Sequence, residues 1–103
     1  MTHMQGPVLL HVWMTHPEAA DAHIQRLAQL FAAVAGEPGF VSARILQDSG
    51  RSSIAAIIEM RTVEDRRRLE ELPVVHETLH GLEGSANLVA RLYDDVAAFS
   101  ARG

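Results

Sequence analysis

The stretch Pro7–Thr15, PVLLHVWMT, decides the fold. It is a run of β-branched, aromatic and large aliphatic residues. His11 is its one strong polar group, and Trp13 is the only Trp in the chain. Such a run reads as a strand with both faces buried or nearly so. A strand of that kind needs a cover on each side. The chain's own helices can supply one cover. The other must come from elsewhere, and a second copy of the chain is the expected source.

Outward from this strand, Thr15-His-Pro-Glu18 reads as a capping box, with Thr15 as N-cap, Glu18 three residues on and Pro17 in the first turn. The helix it starts runs to about Ala35. Its apolar positions are Ala20, Ile24, Leu27, Leu30, Phe31 and Val34, and His23 falls on the surface side with His16. Gly36 ends the helix and Glu37-Pro-Gly39 turns the chain. A second strand covers about Phe40–Gln47, a hairpin-like loop Asp48–Ser52, and a third strand about Ser53–Arg61. Thr62 caps a second helix over about Val63–Leu72. Pro73 interrupts it, and a further helical piece spans Val74–Gly81. After the loop at Glu83–Ala86 comes a fourth strand, about Asn87–Asp94.

The order strand, helix, strand, strand, helix, strand predicts an α+β, ferredoxin-like βαββαβ domain. Its four-stranded antiparallel sheet carries the helices on one face and leaves the other bare. The domain is expected over residues 7–96, with 1–6 and 97–103 as terminal extensions. Alternation suggests which side chains meet the helices. Val8, Leu10, Val12, Met14, Val41, Ala43, Ile45, Ile54, Ala56, Ile58, Met60, Leu88, Ala90 and Leu92 form a wholly apolar set, expected inward. The opposite set is mixed: it holds Leu9, His11, Trp13, Phe40, Arg44, Glu59, Arg91 and Tyr93. Such a face is too greasy for open water, and two sheets packed face to face in a dimer would account for it.

Composition narrows the function classes. With 103 residues there is one domain, and a 48% apolar fraction is high for so small a chain, which again suggests a covered face. A net charge of −4 gives no footprint for nucleic acid. The basic run Arg66–Arg68 is flanked by Glu64, Asp65, Glu70 and Glu71 and reads as a self-neutralising helix face. With no Cys, disulfides, thiol catalysis and thiolate metal sites are excluded. No apolar run approaches the ~18 residues of a membrane span and no leader pattern is evident, so the expected location is the cytoplasm. The glycines do not form a phosphate-binding loop.

Several motifs together resemble the antibiotic-biosynthesis-monooxygenase-like group of the dimeric α/β-barrel superfamily. They are the strand leading into a Pro-containing helix start, the PGF turn at Pro38–Phe40, the broken second helix with P-x-x-H at Pro73–His76, and the ending Leu92-Tyr-Asp-Asp-Val96. The resemblance covers about residues 7–96. It implies a homodimer and a substrate pocket between helices and sheet. Among members, some oxidise polyketide anthrones or hydroquinones with O2 and neither metal nor flavin, some degrade haem, some are isomerases, and some have no known activity. In the haem-degrading branch a Trp closes strand 3 and an Asn lies on strand 1. Here Met60 stands in the first place and strand 1 has no Asn, which points away from haem degradation.

The leading expectation is therefore a cofactor-independent monooxygenase acting on an aromatic or polyketide-type small molecule. His76, spaced four from Leu72 and three from Leu79, is expected to point into the pocket as base or hydrogen-bond donor. Leu10, Phe31, Met60 and His80 are expected around the substrate. His76 and His80 lie four apart on one helix, but no third ligand accompanies them, so no metal is expected. The alternative pocket is the dimer barrel, lined by His11, Trp13, Arg44, Glu59, Arg91 and Tyr93. Should the sheet be flipped relative to this alternation, His11 and Trp13 become the pocket residues. Competing readings are a non-catalytic or stress-response dimeric binding module, and haem binding through His76.

Overall fold

The structure is a computed structural model that describes residues 7–82, 86–94, 97 and 99–101. The chain runs β1 (Pro7–Met14), α1 (Ala20–Val34), β2 (Phe40–Gln47), β3 (Ser53–Met60), α2 (Val63–Glu70), α3 (Pro73–Gly81) and β4 (Ala86–Asp94), with a 3-10 turn at Pro17–Ala19 leading into α1. The sheet is antiparallel in the order β2-β3-β1-β4. This is the ferredoxin-like arrangement expected, with β1 beside β3 at the centre. The loop expected before β4 falls mostly on residues 83–85, and the expected extensions on 1–6 and part of 97–103; these lie outside the described residues.

Local chemistry explains most of the element ends. The Thr62 hydroxyl accepts from the Asp65 amide at 3.0 Å and caps α2. Gly39 has φ 82°, and a Cβ there would overlap the Asp65 carboxylate, so the turn before β2 requires Gly. In the β2–β3 loop the Asp48 carboxylate accepts from the amides of Gly50, Ser52 and Ser53 at 3.1, 2.9 and 2.6 Å. Those bonds, led by the Ser53 amide, hold Asp48 below its ordinary pKa.

Two expectations about the start of α1 are corrected. His16 is the N-cap of the leading 3-10 turn, which closes through the Ala19 amide on the His16 carbonyl at 2.9 Å, and Ala19 is the N-cap of α1; neither has a side-chain cap. Thr15 therefore lies one residue too early to cap, and its buried Oγ1 has no hydrogen-bond partner. His23 is not on the surface: it is 4% exposed, on the buried side of α1 with Ala20 and Leu27.

The inward set on β1 is also the reverse of the alternation expected. Leu9 pairs with Ile58, His11 with Ala56 and Trp13 with Ile54, so the odd residues share the helix-covered face. Val8, Leu10, Val12 and Met14 face the open side. The reason is volume. Small residues at Ala20 and Ala56 leave deep space under α1, and Trp13 fills it, 3% exposed and packed with Leu27, Ile54 and Leu82. At the start of β2 a register shift between Phe40 and Ser42 likewise turns Phe40 onto the core and leaves Val41 exposed. The expected inward residues of β3, and Ala43 and Ile45, do pack under the helices.

Candidate active site

Between the sheet and the helices lies a small cavity. Its floor is Leu9, His11, Trp13, Ala56 and Ile58, and its roof comes from Leu27, Leu30, Phe31 and Val34 of α1 with Leu69, Glu70, Val75 and Leu79 of α2 and α3. The enclosed space is about 20 Å³, room for about one water molecule. Among the described residues, only His11 and Glu70 bring titratable groups to this wall.

β1 sets His11 by strand alternation: two residues from Trp13, it shares Trp13's face. The two rings stack, with centroids 5.3 Å apart and planes 10° from parallel. Trp13 also meets His23, with the ring centroids 4.9 Å apart and the planes 63° from parallel. The two contacts hold the indole between neighbouring rings of β1 and α1. His11 Nδ1 is buried without a hydrogen-bond partner. Burial lowers the His11 pKa, and the Glu70 charge pulls it partly back up. His23 is lowered as well, by burial first and then by Arg26. His11 is thus a neutral imidazole at neutral pH, able to accept a proton and facing an apolar space.

Glu70 ends α2 and pairs with Arg66 one turn earlier at 2.5 Å. The pair keeps a carboxylate at the cavity edge opposite the imidazole. Arg68 pairs with Asp65 on the same helix, so two members of the basic run, Arg66 and Arg68, are paired with flanking acids.

No family model and no curated protein sequence matches the chain. Solved structures do. A variant of SnoaB, a cofactor-independent oxygenase from Streptomyces nogalater, superposes with a TM-score of 0.82 at 19% identity, covering 93% of this chain and 97% of its own. A candidate antibiotic biosynthesis monooxygenase from Nitrosomonas europaea gives 0.78 at 12% identity over 93% and 94%. Another from Chloroflexus aurantiacus gives 0.72 at 18% identity over 91% and 96%. The fold is that of the antibiotic biosynthesis monooxygenase structures. At these identities the likeness establishes architecture, and residue roles must come from this chain's own geometry.

Within that fold the expected site residues separate. Of Leu10, Phe31, Met60 and His80, only Phe31 lines the cavity. Leu10 is on the open face, Met60 is sealed in the core, and His80 is exposed near the end of α3. His76 is exposed and does not line the cavity, contrary to the expectation. Leu72, used to set its phase, is the N-cap of α3 and not part of the helix. The inward residues of α3 are Val75 and Leu79, and His76 is turned about 100° from Val75 and about 60° from Leu79, out of the cavity lining. Among the described residues, no three His, Cys, Asp or Glu side chains gather as a metal site.

The alternative pocket also divides. His11 and Trp13 line the helix–sheet cavity, whereas Arg44, Glu59, Arg91 and Tyr93 lie on the open face by register. The sequence reading missed Glu70 and His23. For His23 a signal existed: it lies three after Ala20 and four before Leu27, on their helical face. For Glu70 the only cue was its place one turn after Arg66.

Proposed function

We propose that this protein is a cofactor-independent monooxygenase acting on an aromatic or polyketide-type small molecule in the cavity between helices and sheet. The supporting observation is the stacked His11 with an unpartnered Nδ1 in an otherwise apolar wall beside Glu70. The likeness to SnoaB, itself a cofactor-independent oxygenase, supports the reaction class.

In this reading the substrate carries an activated CH2 group, as an anthrone does. His11 takes one proton from it, and Glu70 steadies the resulting imidazolium. The carbanion then reduces O2 and forms the new C–O bond. Loss of water leaves a carbonyl, so CH2 plus O2 gives C=O plus H2O. The chain's part is to accept the proton at His11, hold a flat ring against Trp13 and Phe31, and keep water out. A substrate must displace roof side chains such as Phe31 and Leu79, because the closed cavity holds about 20 Å³.

That small volume favours one competing reading. Ligand pockets are ordinarily roughly 300–1,000 Å³, and a cavity that never opens would make this a non-catalytic module. Oxygen consumption by metal-stripped protein, measured against a panel of anthrones and hydroquinones, separates the two. The proposal expects substrate-dependent uptake that resists chelators and falls about 100-fold or more in His11→Asn. Absence of uptake across the panel would overturn it in favour of the closed module.

We also propose that the open sheet face pairs with a second copy of the chain. Val8, Leu10, Val12, Ala55, Ile57 and Val89 form its half-buried apolar centre, with Leu46 39% and Tyr93 46% exposed at its sides. Arg44, Glu59 and Arg91 then set the register of the pair more than its strength.

A further inference from the structure

The helix–sheet cavity fits a molecule much smaller than the aromatic substrate proposed above. Its enclosed space is about 20 Å³, enough for about one molecule the size of water. Size alone admits a water or a diatomic gas, and the chemistry of the wall chooses between them.

A buried water ordinarily makes about two to four hydrogen bonds. The surface facing this space is almost wholly carbon, from Leu9, Ala56 and Ile58 of the sheet, Leu27 and Phe31 of α1 and Leu79 of α3. His11 Nδ1 is covered by its neighbours. The Glu70 carboxylate is held by Arg66 at 2.5 Å, on a side chain that is 37% exposed. A water placed in the cavity would therefore leave most of its hydrogen-bonding capacity unmet, which is costly. An apolar gas has the opposite balance. It gives up no hydrogen bond on leaving water and gains dispersion contact with every wall atom it touches. Apolar cavities accordingly exclude water and take up xenon.

We propose that this cavity is a seat for dioxygen, held by dispersion against Ala56, Ile58, Phe31 and Leu79 beside the ring of His11. That the gas is dioxygen rests on the oxygenase reading; that the cavity takes an apolar gas does not. In that reading the second reactant is already enclosed beside His11 when the flat ring of the substrate comes in past Phe31 and Leu79.

The core carries its own control, because Ile54 is as deeply buried as Ala56 but does not line the cavity. Methyl NMR spectra of the full chain are recorded under rising pressures of xenon and then of dioxygen, whose paramagnetism broadens nearby methyl signals. Xenon should shift the Ala56, Ile58 and Leu79 methyls along a saturating curve and leave Ile54 unmoved, and dioxygen should broaden the same set. Ala56→Val fills the space and should weaken xenon binding about tenfold or more. Ile58→Val enlarges the space by a conservative change and should tighten xenon binding about twofold or more, which keeps the test open even if the filled variant does not fold. Shifts that rise linearly with pressure, and as much at Ile54 as at Ile58, would overturn the site. So would magnetisation transfer from a bound water to the lining methyls. Saturable xenon binding without oxygen uptake on any substrate would support the gas site and count against the oxygenase reading. Oxygen uptake without saturable xenon binding would overturn the gas site and leave that reading standing.

Discussion

The two faces of one strand, β1, are composed for opposite tasks. On the covered face Leu9, His11 and Trp13 sit under α1, the indole in ring contact with two imidazoles. On the open face Val8, Leu10, Val12 and Met14 present only aliphatic and thioether groups. The purely apolar side is the one without helices over it, and the side with the polar ring is the one buried by the chain itself. The difference teaches that polarity by itself does not tell inside from outside. A polar ring can sit in the core where the chain encloses it, and burial then lowers its pKa, while a uniformly apolar strip suits a partner surface.

Trp13→Ala is the hardest blow to the covered face. It removes the side chain that fills the space over Ala20 and Ala56 and should cost about 3–5 kcal/mol of stability, read by chemical denaturation. The loss should be the same at every protein concentration. A cost near that of Met14→Ala, its exposed neighbour, would break the contrast between the faces.

Acid should act on the covered face too. His11 and His23 both have pKa values lowered below 6.5 by burial. Above that value neither state binds the proton, and stability does not change through them. As pH falls below it, the unfolded imidazoles take up protons that the folded ones resist, so stability declines. Melting temperatures should therefore fall between about pH 7 and about pH 5.5, and His11→Asn should flatten the slope. A slope unaltered by that substitution would mean that His11 is not the buried group assigned here.

The smallest effect belongs to the residue that spacing singled out. His76 is exposed on α3, so His76→Ala should change stability by about 0.5 kcal/mol or less and leave oxygen uptake at the wild-type rate. A large loss of uptake in this variant would move the site back to α3.

How much of this was legible follows from the kind of signal involved. The order of the elements, the helix starts at Thr62 and Pro73 and the glycine turn at Gly39 were readable because each is a local rule obeyed locally. The orientation of β1 was not, because both of its alternate sets are apolar enough to bury and only register and side-chain volume choose between them. The phase of α3 was lost for a related reason. Leu72 belongs to the break before the helix, so spacing measured from it ran one step out of turn. Thr15 carried the capping pattern, yet the leading 3-10 turn starts at His16 and leaves the Thr15 hydroxyl buried without a partner.

Leu10 and His11 are adjacent in sequence and face opposite ways, which makes them the most direct test of the division between the faces. Light scattering at micromolar concentration would be run on wild type, Leu10→Arg and His11→Asn. The account predicts twice the 11.3 kDa chain mass for wild type and for His11→Asn, and the single chain mass for Leu10→Arg. A wild-type monomer, or one mass shared by the two variants, would contradict it.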